Sequence, residues 1–193
     1  MTLEDLKENI WNSNFNKTHY EVPFDFYHLK ETLYYWSCTT DLKATTARFD
    51  AISKTFNEVL EKIVPEFQRD NDKWTQDMQI KFVENIVLGA TSTIILGSTT
   101  GQKSECVLID GLQRITAIFA FMNNEFKIFD KFEFNEDFEQ ICRHIHNLTL
   151  RIYNFKNEQE MVKFYIDMNE NITHSKSDIK RTKDYLEKLK MCI

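Results

Sequence analysis

The chain has 193 residues, 42% hydrophobic and 28% charged, the balance of one ordinary globular domain with a real core. Its 24 Lys and Arg against 30 Asp and Glu give a net charge of −6, which excludes a protein held to nucleic acid by overall charge and confines any DNA contact to a local patch. There is no apolar run of about 18 residues, the acidic start MTLEDLKENIW is unlike a signal peptide, and Cys38, Cys106, Cys142 and Cys192 lack CxxC spacing. A cytoplasmic chain with reduced, structural thiols is expected.

With 4 Gly and 2 Pro the chain should be rich in regular structure, and 16 Phe against 3 Trp predict a core of Phe, Ile and Leu. Residues 1–50 are aromatic and irregular. Leu3, Leu6 and Ile10, and again Leu29, Leu33 and Trp36, have helical spacing, which predicts a helical extension of two short helices and a loop packed on a main domain at 51–193. Exposed aromatics in that extension would suit a partner surface, for a nuclease or another protein.

Phe56, Val59, Leu60 and Ile63 form a helical stripe that must stop at Pro65. A short extended segment, 64–69, and a polar turn, 70–73, follow. Thr75 caps a helix with Met78, Phe82, Val83, Ile86 and Val87 inward, and Gly89 ends it. Thr93–Leu96 and Glu105–Ile109 read as strands around a polar loop, and Ile115, Ile118, Phe119 and Met122 as a helix. The Phe-rich segment 126–138 fits strand or loop. A helix over 136–146, a strand over 148–153, a helix capped by Asn157 and a last helix opened by Ser175 or Ser177 complete the chain. Helices interleaved with a few strands predict an α/β (α+β) layer. Lys176–Lys190 is the best candidate for a basic patch toward DNA, the plainer reading being a solvated face with charges of both signs.

One junction concentrates chemistry. A hydrophobic strand delivers Asp110, Gly111 permits a sharp turn and close approach of a ligand, and the next residues open a helix whose N–H groups and dipole favour an anion. Gln113 adds an amide donor and Arg114 a fork suited to phosphate oxygens. Asp110 could hold a metal, orient Arg114 or position an attacking water. The alternative is purely structural: Asp110 caps the helix and pairs with Arg114 on the surface. Arg69 could converge on the same ligand, or be a solvated residue beside a core Phe67. Trp74 reads as a lid over the next helix rather than a stacking platform. Cys142, His144 and His146 form CxHxH, in which Cys142 and His146 would share a face on a helix; no fourth ligand follows from spacing, although His174 could approach, and no metal site is assigned. Walker, GxGxxG, GxSxG and HExxH motifs are missing.

Pro65-x-Phe67-Gln68-Arg69, then Trp74, a helix, Ile109-Asp110-Gly111-Leu112-Gln113-Arg114 and an apolar helix, with Phe164–Asn169 and Ser177-Asp178-Ile179 downstream, resemble the N-terminal domain of GmrSD-type restriction enzymes over about residues 53–185. The resemblance implies a ParB/sulfiredoxin-like small mixed sheet surrounded by helices. It also implies binding, and often hydrolysis, of a nucleoside triphosphate (NTP) with Mg²⁺, coupled to sensing of modified or foreign DNA in phage defence. By the same pattern Asp110 and Arg114 would be catalytic, Gly111, Gln113 and Arg114 would line the nucleotide, and Arg69 and Asn169 would stand nearby. Leu112 departs from the commoner DGQQR, which implies one polar contact fewer. Nuclease members carry a C-terminal HNH-type domain, and none is expected here. Two other functions stay open: a non-catalytic interaction or inhibitor protein of phage or mobile-element origin, and an ATP-dependent phosphotransferase.

Overall fold

A computed structural model describes residues 19–38, 53–68, 74–99, 105–169 and 176–191. Four strands, β1 (His19–Phe24), β2 (Ser92–Ser98), β3 (Val107–Asp110) and β4 (Leu148–Asn154), form one mixed sheet in the order β1-β4-β2-β3. The central pair β2–β4 is parallel, and the two outer pairs are antiparallel. Seven described helices surround it: α1 (Leu29–Cys38), α2 (Phe56–Ile63), α3 (Gln76–Val87), α4 (Leu112–Met122), α5 (Glu136–Cys142), α6 (Glu158–Asn169) and α7 (Lys176–Met191). The expected α/β architecture, helices around a small mixed sheet, is what the chain adopts.

Strand alternation divides the interior in two. Ile94 and Leu96 of β2, Leu108 of β3 and Leu148, Leu150 and Ile152 of β4 point into a core shared with α1 to α5. Ile95, Ile109 and Tyr153 point the other way, into a second core with Phe67 and α6, flanked by Tyr185, Leu186 and Leu189 of α7. The first core is phenylalanine-rich, as composition predicts. Phe121 is fully buried, with Phe26, Phe126, Phe134 and Phe138 around it at centroid distances of 5.2–6.3 Å.

Helix limits follow local chemistry. Thr55 and Glu58 cap α2 reciprocally, and Thr75 accepts the Met78 N–H at the start of α3. At the end of α3, Gly89 (φ +101°) turns the chain, with Gly89 N–H donating to Ile86 O and Ala90 N–H to Asn85 O. Before α6, Asn157 Oδ1 accepts the Glu160 N–H at 2.9 Å.

Three expectations need correction. The N-terminal segment, expected as two short helices and a loop, also contains a strand: His19–Phe24 is an outer strand of the sheet, paired with β4 from His19–Tyr153 to Phe24–Leu148. Pro23 has no N–H to give and weakens the strand pattern, but an outer strand tolerates it. Met78 is 49% exposed, outside the buried stripe of Val83 and Ile86. The helix expected to reach His146 ends at Cys142, where His144 N–H turns back to Ile141 O. Cys142 and His146 therefore never share a helix face. The segment Leu3–Ile10, the turn 70–73, Arg69, His174 and Ser175 lie outside the described residues. Among the described residues no helix is long and apolar enough to cross a membrane.

Candidate functional site

Strand β3 ends at Asp110, opposite Ile95 of β2, and α4 begins two residues later. Gly111 between them has φ +112°, a conformation that suits glycine, and its Cα faces Ile94 so closely that a Cβ would stand 3.3 Å from Ile94 Cγ1. Among the described residues no side chain caps α4. Its ladder starts with the Ile115 N–H donating to Gly111 O, which leaves the N–H groups of Leu112, Gln113 and Arg114 without an intrahelical acceptor at the electropositive helix start.

Gln113 is 4% exposed. Its Oε1 accepts the Trp74 N–H at 3.1 Å, which fixes the amide orientation and leaves Nε2 as the donor. That Nε2 is buried and has no partner among the described residues. An unmatched buried donor costs on the order of 1–3 kcal/mol, so the first turn of α4 holds a donor without an acceptor. Trp74 itself packs on Phe82 and the rim of the first core, in the lid position expected of it.

Arg114 Nη2 donates to Asp110 Oδ2 at 2.6 Å, and Nη1 donates to the Thr93 carbonyl. The pair is part-exposed, 28% for Arg114 and 31% for Asp110. The arginine is therefore held at the sheet end by one part-exposed carboxylate and one carbonyl.

The structure thus brings Asp110, Gly111, Gln113 and Arg114 into one corner. Arg69 lies outside the described residues. Asn169 closes α6, on the helix layer opposite α4, where its Nδ2 donates to Tyr165 O at 2.8 Å. Sequence reasoning passed over Gln68, which is buried and directs Nε2 at the Leu108 and Ile109 carbonyls, 3.4 Å each, on the strand that leads to Asp110. It also passed over α7 as a support. Thr182 Oγ1 donates to Phe67 O at 3.1 Å and the Arg181 guanidinium to Gln68 O, so α7 fastens the Pro65–Gln68 segment against β3. Only the Phe-Gln-Arg block itself signals the first of these; nothing in the spacing signals the second.

Cys106 and Cys142 are buried, and desolvation pushes both thiols up to about 12, too high for reactive thiolates. Among the described residues no group of His, Cys, Asp and Glu is placed to hold a metal ion by itself.

No curated protein and no solved structure matches the chain. The family model described as GmrSD restriction endonuclease, N-terminal domain, matches residues 52–192, a span that contains the Phe67–Gln68 segment, the Asp110–Arg114 corner and α7. The chain therefore belongs to the GmrSD restriction endonuclease N-terminal domain family, which ties it to restriction-type defence against phage.

Proposed function

We propose that the Asp110–Arg114 corner binds the phosphates of an NTP with Mg²⁺, and that the chain is an NTP-hydrolysing regulatory module of a restriction-type system, working in the cytoplasm beside a nuclease. The observation that carries this reading is the start of α4, where among the described residues three helix N–H groups have no side-chain cap and the buried Gln113 Nε2 has no acceptor. An anion there would satisfy the donors and the helix dipole together. Family membership supports the same corner, because its Asp-Gly-x-Gln-Arg block is one of the blocks that carry the resemblance and lies within the matched span.

The residues fit such a ligand. Arg114, now bound to Asp110 and to Thr93 O, would turn its fork to phosphate oxygens, an exchange between two charge-assisted partners at a part-exposed site. Asp110 would then offer its carboxylate to Mg²⁺, which takes one or two carboxylates plus phosphate oxygens and water. The metal would supply neutralisation of phosphate charge. Gly111 keeps the backbone low enough for phosphate to reach the helix N–H groups.

Calorimetric titration of ATP, GTP and CTP with Mg²⁺ tests the reading. Wild type should bind at least one. Arg114→Ala should bind it about 10–100-fold more weakly, the range for losing a charge-assisted hydrogen bond of about 1.5–3 kcal/mol. Asp110→Asn should retain binding and lose hydrolysis. Silence from wild type at millimolar nucleotide, with Mg²⁺ or Mn²⁺, would refute the reading.

A further inference from the structure

Of the five large apolar side chains that the described residues expose, four belong to one region: Leu88, Phe129, Phe132 and Ile141, each between 38% and 72% exposed. Their neighbours tie them together. Glu84 Oε1 accepts the Phe129 N–H at 2.8 Å, and Leu88 stands one turn beyond Glu84, at the C-cap of α3. Phe129 meets Phe132 edge to face at 6.3 Å. Phe132 in turn packs on Phe138 at 6.4 Å, and Ile141 follows Phe138 by one turn of α5. Asn147 Nδ2 donates to Ile86 O and Ala90 O, which brings the chain leaving α5 to the end of α3. This region follows the C-terminal end of α4, whereas the Asp110–Arg114 corner is at its N-terminal end.

One of these exposures is held against local preference. Phe129 (φ +51°) and Asp130 (φ +55°) take successive left-handed positions in the Ile128–Phe132 turn. Such positions suit Gly or Asn and least suit an aromatic residue. Phenylalanine at 129 strains the turn and leaves its ring part in water, so fold stability does not account for it.

We propose that this patch is the docking site for a basic amphipathic helix of a partner protein. Four apolar side chains in one connected strip match the i, i+3 or i+4, i+7 anchors of a single helix face. The rim sets the charge of the partner. Residues 125–141 hold six acidic and two basic side chains. Lys127 is paired with Glu133 at 2.6 Å, and Lys131 lies over the Phe132 ring at 5.2 Å. Glu139 is taken by Arg143 at 2.6 Å. Asp130, Glu136 and Asp137 have no ion-pair partner among the described residues. These carboxylates select among occupants. A second copy would bring the same acidic rim against this one, and an anionic membrane or a nucleic acid would meet like charge. Lys and Arg beside the apolar stripe of a helix complement both parts of the surface. The patch is independent of the nucleotide corner, and either reading can fail alone.

Fluorescence anisotropy with the full chain and labelled synthetic peptides of about 18 residues, long enough to form a helix, tests the proposal. One peptide carries Leu in a helical stripe among Lys; the second has the same composition with the stripe scrambled; the third keeps the stripe and replaces Lys by Glu. Wild type should bind the first at least about 10-fold more tightly than either of the others. Phe129→Asn puts a residue that the turn prefers in place of the ring. It should lose about 30-fold in affinity, the level that marks an anchor, while Tm stays equal or rises. D130N/E136Q should weaken binding and flatten its salt dependence. Met78→Gln, at the exposed apolar residue outside the patch, should bind as wild type. The proposal is overturned by equal binding of the striped and scrambled peptides, or by wild-type binding in Phe129→Asn. Self-association that Phe129→Asn abolishes, read by sedimentation, would overturn it in favour of a second copy, and Phe129-dependent binding to phosphatidylserine vesicles in favour of a membrane.

Discussion

In Gly111→Ala a methyl group enters a backbone with φ +112° and meets Ile94 Cγ1 at 3.3 Å and Ile94 Cα at 3.4 Å. Two costs are involved, and a second glycine separates them. Gly89 has φ +101° with nothing within 4 Å of an added Cβ, so Gly89→Ala incurs only the backbone strain, about 1–2 kcal/mol. Gly111→Ala adds the displacement of Ile94, a residue with no exposed surface at the centre of the sheet, for a further 1–2 kcal/mol or so. The expected losses are about 1–2 kcal/mol for Gly89→Ala and about 2–4 kcal/mol for Gly111→Ala. For a chain of this size the latter lowers Tm by roughly 4–16 °C. Urea unfolding followed by far-ultraviolet circular dichroism should show both shifts at unchanged slope. Equal losses at the two sites, or a neutral Gly111→Ala, would refute the claim that β3 and α4 meet at a point only glycine can occupy.

Two further perturbations probe the frame. Tyr185 is held by its hydrogen bond to Glu158, and that bond with partial burial pushes the phenol up to about 12. Its contribution is therefore complete below the ordinary phenol range and is lost as pH rises toward about 12; Tyr185→Phe should cost about 1 kcal/mol in urea unfolding at neutral pH and remove one late-titrating phenol from the ultraviolet absorbance curve. In α2, the Thr55 backbone N–H and then its hydroxyl, both donating to Glu58, hold that carboxyl below its ordinary range. The Glu58 contribution is present above the ordinary carboxylate range and disappears as pH falls through the lowered value. Thr55→Ala should thus cost about 1 kcal/mol at neutral pH, and Glu58→Gln should flatten the acid limb of the stability curve.

The elements legible in sequence are those whose cause is local. Thr75, Gly89 and Gly111 mark helix limits through a side-chain acceptor or a positive φ that any reader of the chain can assign. The hairpin at Ile128–Phe132 is a contrary case. Phe129 and Asp130 both have positive φ without a glycine, and they are held from elsewhere: Glu84 on α3 accepts the Phe129 N–H at 2.8 Å, and Asn124 brackets Phe134 with both ends of its amide. A partner 45 residues away leaves no trace in a window of sequence.

The corner around Asp110 was legible for a related reason, since its strand, glycine and helix are contiguous. The unmatched Gln113 donor was not, because it depends on how Trp74 docks 39 residues earlier in the chain. In sequence the aromatics of the N-terminal segment fit packing on the main domain or a partner surface, and of the described ones Phe24, Phe26 and Trp36 are buried in the first core. Deleting residues 1–50 would therefore strip β4 of its neighbour as well as any partner contact, so point substitutions are the better test of binding there.

The outer strand β1 also sets an order of events during synthesis. Glu21 and the Arg151 that pairs with it are 130 residues apart, so β1 is made well before the strand that receives it. At about 5–20 residues per second, the interval is roughly 6–26 s before β4 is even polymerised. Throughout it, β1 is a nascent strand with no legitimate neighbour, exposed to illegitimate ones. Glu21 and Pro23 work against that hazard, since a charge and a missing N–H both discourage stray pairing. The residue that blurs β1 to the eye thus guards it on the ribosome.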